Sequence, residues 1–185
     1  MAGLIKQSVL SGFLVGLGVV INTQAGNKYI GAMLFSLALL VIIEKELKLY
    51  TGKIGFVKKD VPIYNLSIML PFNLMGVIVP VLMMHKKGKF SEIMYEVAQN
   101  KFAQGHMELL FYGFLCGALM FIAVSCKNKL ITIFCIMTFI LSGYEHCIAD
   151  FPYMCMVFTP VNLSKFVCII VGNSLGSITV NKLMG

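Results

Sequence analysis

The chain has 185 residues, of which 58% are hydrophobic and only 12% charged, with a formal net charge of +7 and a mean hydropathy of +0.87. A water-facing domain carries about 25% charged residues, so this composition excludes a disordered chain, a nucleic-acid module and an ordinary soluble enzyme, and indicates an integral membrane protein. All 15 basic residues are lysines in short clusters between apolar stretches, which reads as loop charge that sets orientation and not as a bidentate phosphate-binding surface.

In chain order, apolar cores fall at residues 5–21, 29–43, 64–84, 107–125, 130–144 and 166–180. Polar and charged breaks separate them at 22–28, 44–60, 85–105, 127–129 and 149–162. A helix needs about 20 apolar residues to cross the hydrocarbon, so the pattern predicts an all-α membrane protein with six transmembrane helices. The first run follows Lys6, is rich in glycine and is followed by five more, so it is read as a true span and not as a cleaved leader. Six crossings bring both termini to one side. With the N-terminus inside, that side holds Lys6, Lys45, Lys48, Lys53, Lys58, Lys59, Lys127, Lys129 and Lys182, against Lys28, Lys86, Lys87, Lys89, Lys101 and Lys165 outside. The excess predicts cytoplasmic termini in a cell (inner or plasma) membrane.

The chain also repeats itself. Gly12-Phe13-Leu14-Val15-Gly16 in the first span recurs as Gly113-Phe114-Leu115-Cys116-Gly117 in the fourth, and Asn73-Leu74-Met75-Gly76 in the third recurs as Asn173-Ser174-Leu175-Gly176 in the sixth. Three spans per copy is an odd number, so the second copy enters the membrane from the opposite face. This predicts one channel domain over 1–185 built from inverted repeats, about 1–84 and about 105–185. The middle span of each copy is too short to cross comfortably and runs into a mixed segment, 44–53 or 145–152. Non-helical backbone at membrane depth persists only where protein or a water-filled path satisfies it, so broken second and fifth helices are expected to meet near the midplane.

Few residues in these segments carry chemistry. His146 follows an apolar run, where an ionisable side chain usually faces a cavity or a partner. On a continuous helix Glu145 would lie about 100° round from it, giving Glu145 a structural contact, and Asp150 would share the His146 face. His146 and Asp150 without a third ligand make no metal site, and none is expected. Thr51-Gly52 offers a hydroxyl and free backbone N–H groups. Lys101 lies beyond a helical stretch over 91–99 and, alone, reads as a solvated lysine. The six cysteines, without CxxC pairs, read as small core residues. No H-E-x-x-H, G-x-S-x-G or P-loop is present, so neither an enzyme nor a cofactor is expected.

The stretch Ser142-Gly143-Tyr144-Glu145-His146-Cys147-Ile148-Ala149-Asp150 resembles the Ser-Gly-(Phe/Tyr)-Glu-His-x-(Ile/Val)-Ala-Asn signature of the formate/nitrite transporter family. Residues 28–51 are similar without gaps, including Gly31, Phe35-Ser36-Leu37 and Leu49-Tyr50-Thr51-Gly52. Asn65, Asn73 with Gly76, Lys101 placed sixteen residues before Gly117, and Gly172-Asn173 with Gly176 complete a resemblance over nearly the whole chain. It implies an aquaporin-like fold, a homopentamer in the bilayer, and transport of small monovalent anions or weak acids such as formate, nitrite, hydrosulfide or related monocarboxylates.

The resemblance also implies roles. His146 would be the central pore residue with Thr51 beside it. Phe35 and Phe139 would form an outer apolar constriction, and Leu39, Leu49, Tyr50 and Met120 an inner one. Lys101 would draw anions into the outer vestibule. Glu145, Asp150, Asn73 and Asn173 would support them. A central histidine could donate a hydrogen bond to the anion or pass it a proton, in which case replacing His146 changes the pH dependence of uptake. This chain departs from the family in Asp150 for an asparagine, Gly117 for another, Tyr50 for a phenylalanine and a charged Glu44–Lys48 segment. The alternative reading these departures allow is a membrane scaffold that keeps the fold with altered selectivity or without transport.

Overall fold

The computed structural model describes residues 1–57, 60–85 and 88–185. The orientation assigned to Lys58, Lys59, Lys86 and Lys87 therefore lies outside the described residues. In chain order the helices are α1 (Ala2–Gln24), α2 (Lys28–Glu44), α3 (Tyr50–Lys53) followed by a 3-10 turn (Ile54–Phe56), α4 (Ile63–His85), α5 (Gly88–Ala103), α6 (His106–Ser125), α7 (Lys129–Leu141), α8 (Cys147–Met156) and α9 (Pro160–Met184). Four of these, α1, α4, α6 and α9, are long and apolar enough to cross a membrane. The molecule is inverted relative to a water-soluble one. Large apolar side chains such as Met33, Leu37, Leu82, Phe134 and Val171 face outward, while Asn73, Asn173, Glu145, His146 and Asp150 are buried, the distribution expected of a protein whose solvent is lipid.

Two tight helix pairs, α1 with α4 and α6 with α9, build the frame. Both pairs are seams of glycine. A Cβ on Gly12 would run into the Asn73 carbonyl, and one on Gly76 into the Val9 carbonyl; in the other pair Gly117 meets the Asn173 carbonyl and Gly176 the Phe114 carbonyl. Such close backbone approach is how membrane helices gain packing energy where lipid provides no hydrophobic drive. In each seam later residues meet later residues, so the paired helices are parallel. The chain must therefore return between them, along α2 in the first half and α7 in the second. The contacts correct the register read from sequence. The Asn73-to-Gly76 and Asn173-to-Gly176 matches occupy like positions, but the partner of Gly12 is Gly117 and not Gly113, one helical turn later.

The returning helices are short. At 1.5 Å per residue, α2 spans about 25 Å and α7 about 20 Å. Both end in the same device. Leu47 N–H donates to Ile42 C=O at 2.9 Å and Glu46 N–H to Ile43 C=O at 3.0 Å, with Glu46 at φ 51°. Tyr144 N–H likewise donates to Phe139 C=O at 2.9 Å and Gly143 N–H to Ile140 C=O at 3.2 Å, with Gly143 at φ 69°. These paired bonds over a left-handed residue form a Schellman stop, which turns the chain back toward the interior. Leu49 and His146 follow in extended conformation, and α3 and α8 then start deep inside. Meanwhile α5 lies across one face, anchored by Phe90, Met94, Ala98 and Phe102 at four-residue spacing.

Candidate functional site

Two buried asparagines hold the inner ends of the returning segments. Asn73 Oδ1 accepts from Tyr50 N–H at 2.8 Å, while its Nδ2 donates to Lys48 C=O at 2.8 Å and Ser8 C=O at 2.7 Å. Asn173 Oδ1 accepts from Cys147 N–H at 2.9 Å, and its Nδ2 donates to Glu145 C=O at 2.7 Å and Gly113 C=O at 2.8 Å. Each amide thus satisfies both sides of a backbone that has left its helix, the requirement for irregular chain away from water.

The clamps bring His146 and Thr51 together. His146 Nδ1 accepts from Ala149 N–H at 3.2 Å as the N-cap of α8, and Nε2 lies 2.9 Å from Thr51 Oγ1. An accepting Nδ1 assigns the proton of a neutral imidazole to Nε2, so Nε2–H donates to Thr51 and leaves the threonine hydroxyl proton free. Protonating the ring would set a second N–H against that of Ala149 at the positive end of a helix. The cap therefore opposes the proton-relay role read from sequence for His146. Both side chains are 1% exposed. The Phe139 ring stacks on the imidazole at 5.6 Å and 13°, and Phe35 meets Phe139 edge-on at 6.3 Å.

Three cavities lie along this axis. On the α5 side, a cavity of about 460 Å³ is lined by Phe35, Phe139, His146, Glu145, Asp150 and Lys101 among others. On the other side of Thr51, Leu39, Leu49, Gly52 and Met120 enclose about 30 Å³, room for one or two waters. This space shares Ile43, Glu46, Lys53 and Val124 with a third cavity of about 820 Å³ on the face that carries the chain termini. The bonded pair of His146 and Thr51 thus sits between the cavity on the α5 side, which His146 lines, and the cavities toward the termini, the smaller of which Gly52 lines. The charged segment that departs from the family pattern lies in the wide mouth. Among the described residues Glu44, Glu46, Lys48, Lys53, Asp60 and Lys127 line the third cavity, three acids against three lysines, along with Asn65, and Glu44 also pairs with Lys129 at 3.3 Å.

Four sequence expectations change. Because residues 145–146 are extended, the helical angle between them does not apply, and Glu145 and His146 line the same cavity. Lys101 is not a solvated lysine. Its side chain is 22% exposed, its ammonium donates to Glu145 and lies 3.1 Å from Asp150 Oδ1, and it sits 5.8 Å from the Tyr153 ring centroid. Tyr50 stays apart from the Leu39, Leu49 and Met120 group, its hydroxyl 2.9 Å from Ser174 Oγ on α9. Of the cysteines only Cys116 and Cys147 are buried; Cys126 and Cys155 are exposed, Cys135 and Cys168 partly so, and all are free thiols. Beyond Lys101, sequence reading missed the vestibule face of α5, whose Ile93, Val97 and Asn100 follow helical spacing and could have been found from it. Among the described residues no three His, Cys, Asp or Glu side chains gather as a metal site.

The family model described as "Formate/nitrite transporter" matches residues 1–184. The chain belongs to the formate/nitrite transporter family. It is 28% identical over 207 residues to the nitrite transporter NirC of Escherichia coli (strain K12), a match covering 96% of this chain and 77% of that protein, and equally to NirC of Shigella flexneri. Among solved structures it is similar to an FNT family ion channel, at a TM-score of 0.84 and 23% identity, covering 99% of this chain and 88% of the other. A pentameric formate channel with formate bound is similar at a TM-score of 0.66 and 19% identity, covering 98% and 91%. These members of the family are transporters and channels, not enzymes, and the all-helical fold is theirs.

Proposed function

We propose that this chain conducts small monovalent anions or their weak acids, of the formate, nitrite, hydrosulfide or monocarboxylate class, through a pore inside each protomer. The observation that carries the reading is the pair of wide cavities, each lined by charged side chains, on either side of a narrow group formed by Phe35, Phe139, His146, Thr51, Leu39, Leu49 and Met120. Moving a bare ion through hydrocarbon costs far too much for leakage, whereas this waist offers in place of lost water the free hydroxyl proton of Thr51, oriented by the His146 Nε2–H. Inward-pointing starts of α3 and α8 add positive helix-dipole ends to the same point. Asn73, Asn173, Glu145 and Asp150 support the waist, and Lys101 tunes the charge of the outer vestibule.

The architecture that fits is six crossings by α1, α2, α4, α6, α7 and α9, arranged as two inverted repeats over a single domain, with α3 and α8 as half-depth segments. The parallel glycine seams and the twin asparagine clamps support it. The lysine excess supports cytoplasmic termini in a cell membrane. The apolar outer faces and the pentameric formate channel among its structural neighbours support a homopentamer. Glu44–Lys48, the segment that suggested a scaffold without transport, lines a wide cavity that carries both signs of charge among the described residues, and so weakens that alternative. Proteoliposomes assayed in parallel for formate, nitrite and hydrosulfide uptake at two pH values test the proposal. Uptake of at least one anion well above empty liposomes is expected, and none for any of the three would refute it.

A further inference from the structure

The vestibule is not a simple trap for negative charge. Lys101, Glu145 and Asp150 converge there, with two carboxyl groups on a single ammonium. With every group ionised the cluster carries one net negative charge, and among the described residues no second lysine lines the cavity. Asp150 is 3% exposed, and its Oδ2 is buried without a donor, as is Gln104 Oε1. Because both carboxyl groups rest on the same Lys101 ammonium, they are brought close to each other. Two bare carboxylates repel at that range, whereas a carboxyl and a carboxylate share a hydrogen bond. The other titratable side chains around Asp150 are Tyr153 and Cys147 on α8 and Cys116 on α6, with His146 one turn away. Facing it from α1 are the neutral Asn22 and Thr23. None provides a second cation, His146 being held neutral by its cap.

We propose that Glu145 and Asp150 hold one exchangeable proton between them, and that Asp150 is thereby a specificity-determining residue that hands this proton to the entering anion. The inference rests on the transport reading above. With one proton the cluster is neutral, so an anion meets no net repulsion. In the transfer a carboxyl O–H bond breaks and an O–H bond (S–H for hydrosulfide) forms on the anion. The neutral acid then passes the Phe35 and Phe139 rings, where an anion would lose its water. The pair, now doubly negative beside Lys101, regains a proton from water in the vestibule. One proton and one anion leave the vestibule together and no net charge moves. An asparagine at 150, the family residue by resemblance, cannot store that proton.

Two measurements on the full chain in liposomes test this. The first is infrared spectroscopy at neutral pH, which does not depend on transport. The expected result is a protonated-carboxyl C=O band that disappears in both Asp150→Asn and Glu145→Gln and returns in Asp150→Glu. The second follows sodium formate uptake with an internal pH dye. Wild-type uptake should acidify the lumen and ignore an imposed membrane potential, while in Asp150→Asn acidification per formate should fall at least tenfold and uptake become potential-driven. Absence of the band in the wild type, or unchanged proton coupling in Asp150→Asn, would overturn the inference. A band present in a protein that moves none of the three anions would support the stored proton and refute the transport reading instead.

Discussion

Replacing Asn173 with alanine tests the clamp that positions the waist. The amide satisfies Cys147 N–H and Glu145 C=O, two backbone groups without a partner inside a helix, through bonds of 2.9 and 2.7 Å. Gly113 C=O, its third partner at 2.8 Å, lies within α6 and keeps its helical bond. Each buried polar group left without a partner costs about 1–3 kcal/mol, so Asn173→Ala should destabilise by about 2–6 kcal/mol. At about 2–4 °C per kcal/mol for a chain of this size, melting should fall by at least about 4 °C. The chain has no tryptophan, but the buried Cys147 adjoins the clamp. Labelling by a thiol-reactive dye, in a background where Cys147 is the one cysteine kept and the other five are serine or alanine, therefore reads both melting and local opening. Asn173→Ala should melt early and expose Cys147 before global unfolding. Unchanged melting together with a still-protected Cys147 would refute the reasoning.

Three glycine and left-handed positions give sharper contrasts in the same assay. Gly117→Ala drives a methyl into the Asn173 backbone and should cost about 1–3 kcal/mol or more, whereas Gly52→Ala meets only Val124 Cγ2 at 3.4 Å and should stay within about 0.5 kcal/mol. Similar losses from both would contradict the packing described. Glu46 adopts φ 51° where the matching stop uses Gly143, so Glu46→Gly should stabilise by about 1 kcal/mol, read as a raised melting temperature; a lowered one would mean the Glu46 side chain contributes more than its strained backbone costs.

Much of the frame was legible because spans, short spans and paired asparagines are local or repeating signals. The positions of α1, α4, α6 and α9 and the shortness of α2 and α7 followed from runs and spacing, which also matched Asn73 with Asn173, while their supporting role came from the resemblance. The repeat register was misread by one turn because a GxxxG-like string matches itself every four residues, and only the facing helix tells which glycine touches Asn173. Glu145 was misplaced for a different reason. Its direction depends on the Schellman stop at Gly143, and a helical wheel fails as soon as the chain leaves the helix. Lys101 and its two carboxyl partners are 44 and 49 residues apart in sequence, so no local pattern predicts their encounter. The resemblance placed Tyr50 with Leu49 in the inner constriction, but Leu49 is extended and Tyr50 opens α3, so the two side chains point different ways.

The central claim is that each subunit contains a passage whose waist is formed by His146 and Thr51. A density map of the protein in lipid nanodiscs, recorded with and without formate, tests it most directly. The account predicts a water-filled hourglass within every subunit, interrupted only at Leu39, Leu49, Met120 and the two phenylalanines, with the imidazole Nε2 turned to Thr51 and to the lumen. An imidazole directed at lipid, or a subunit filled by side chains with the only opening between subunits, would contradict it.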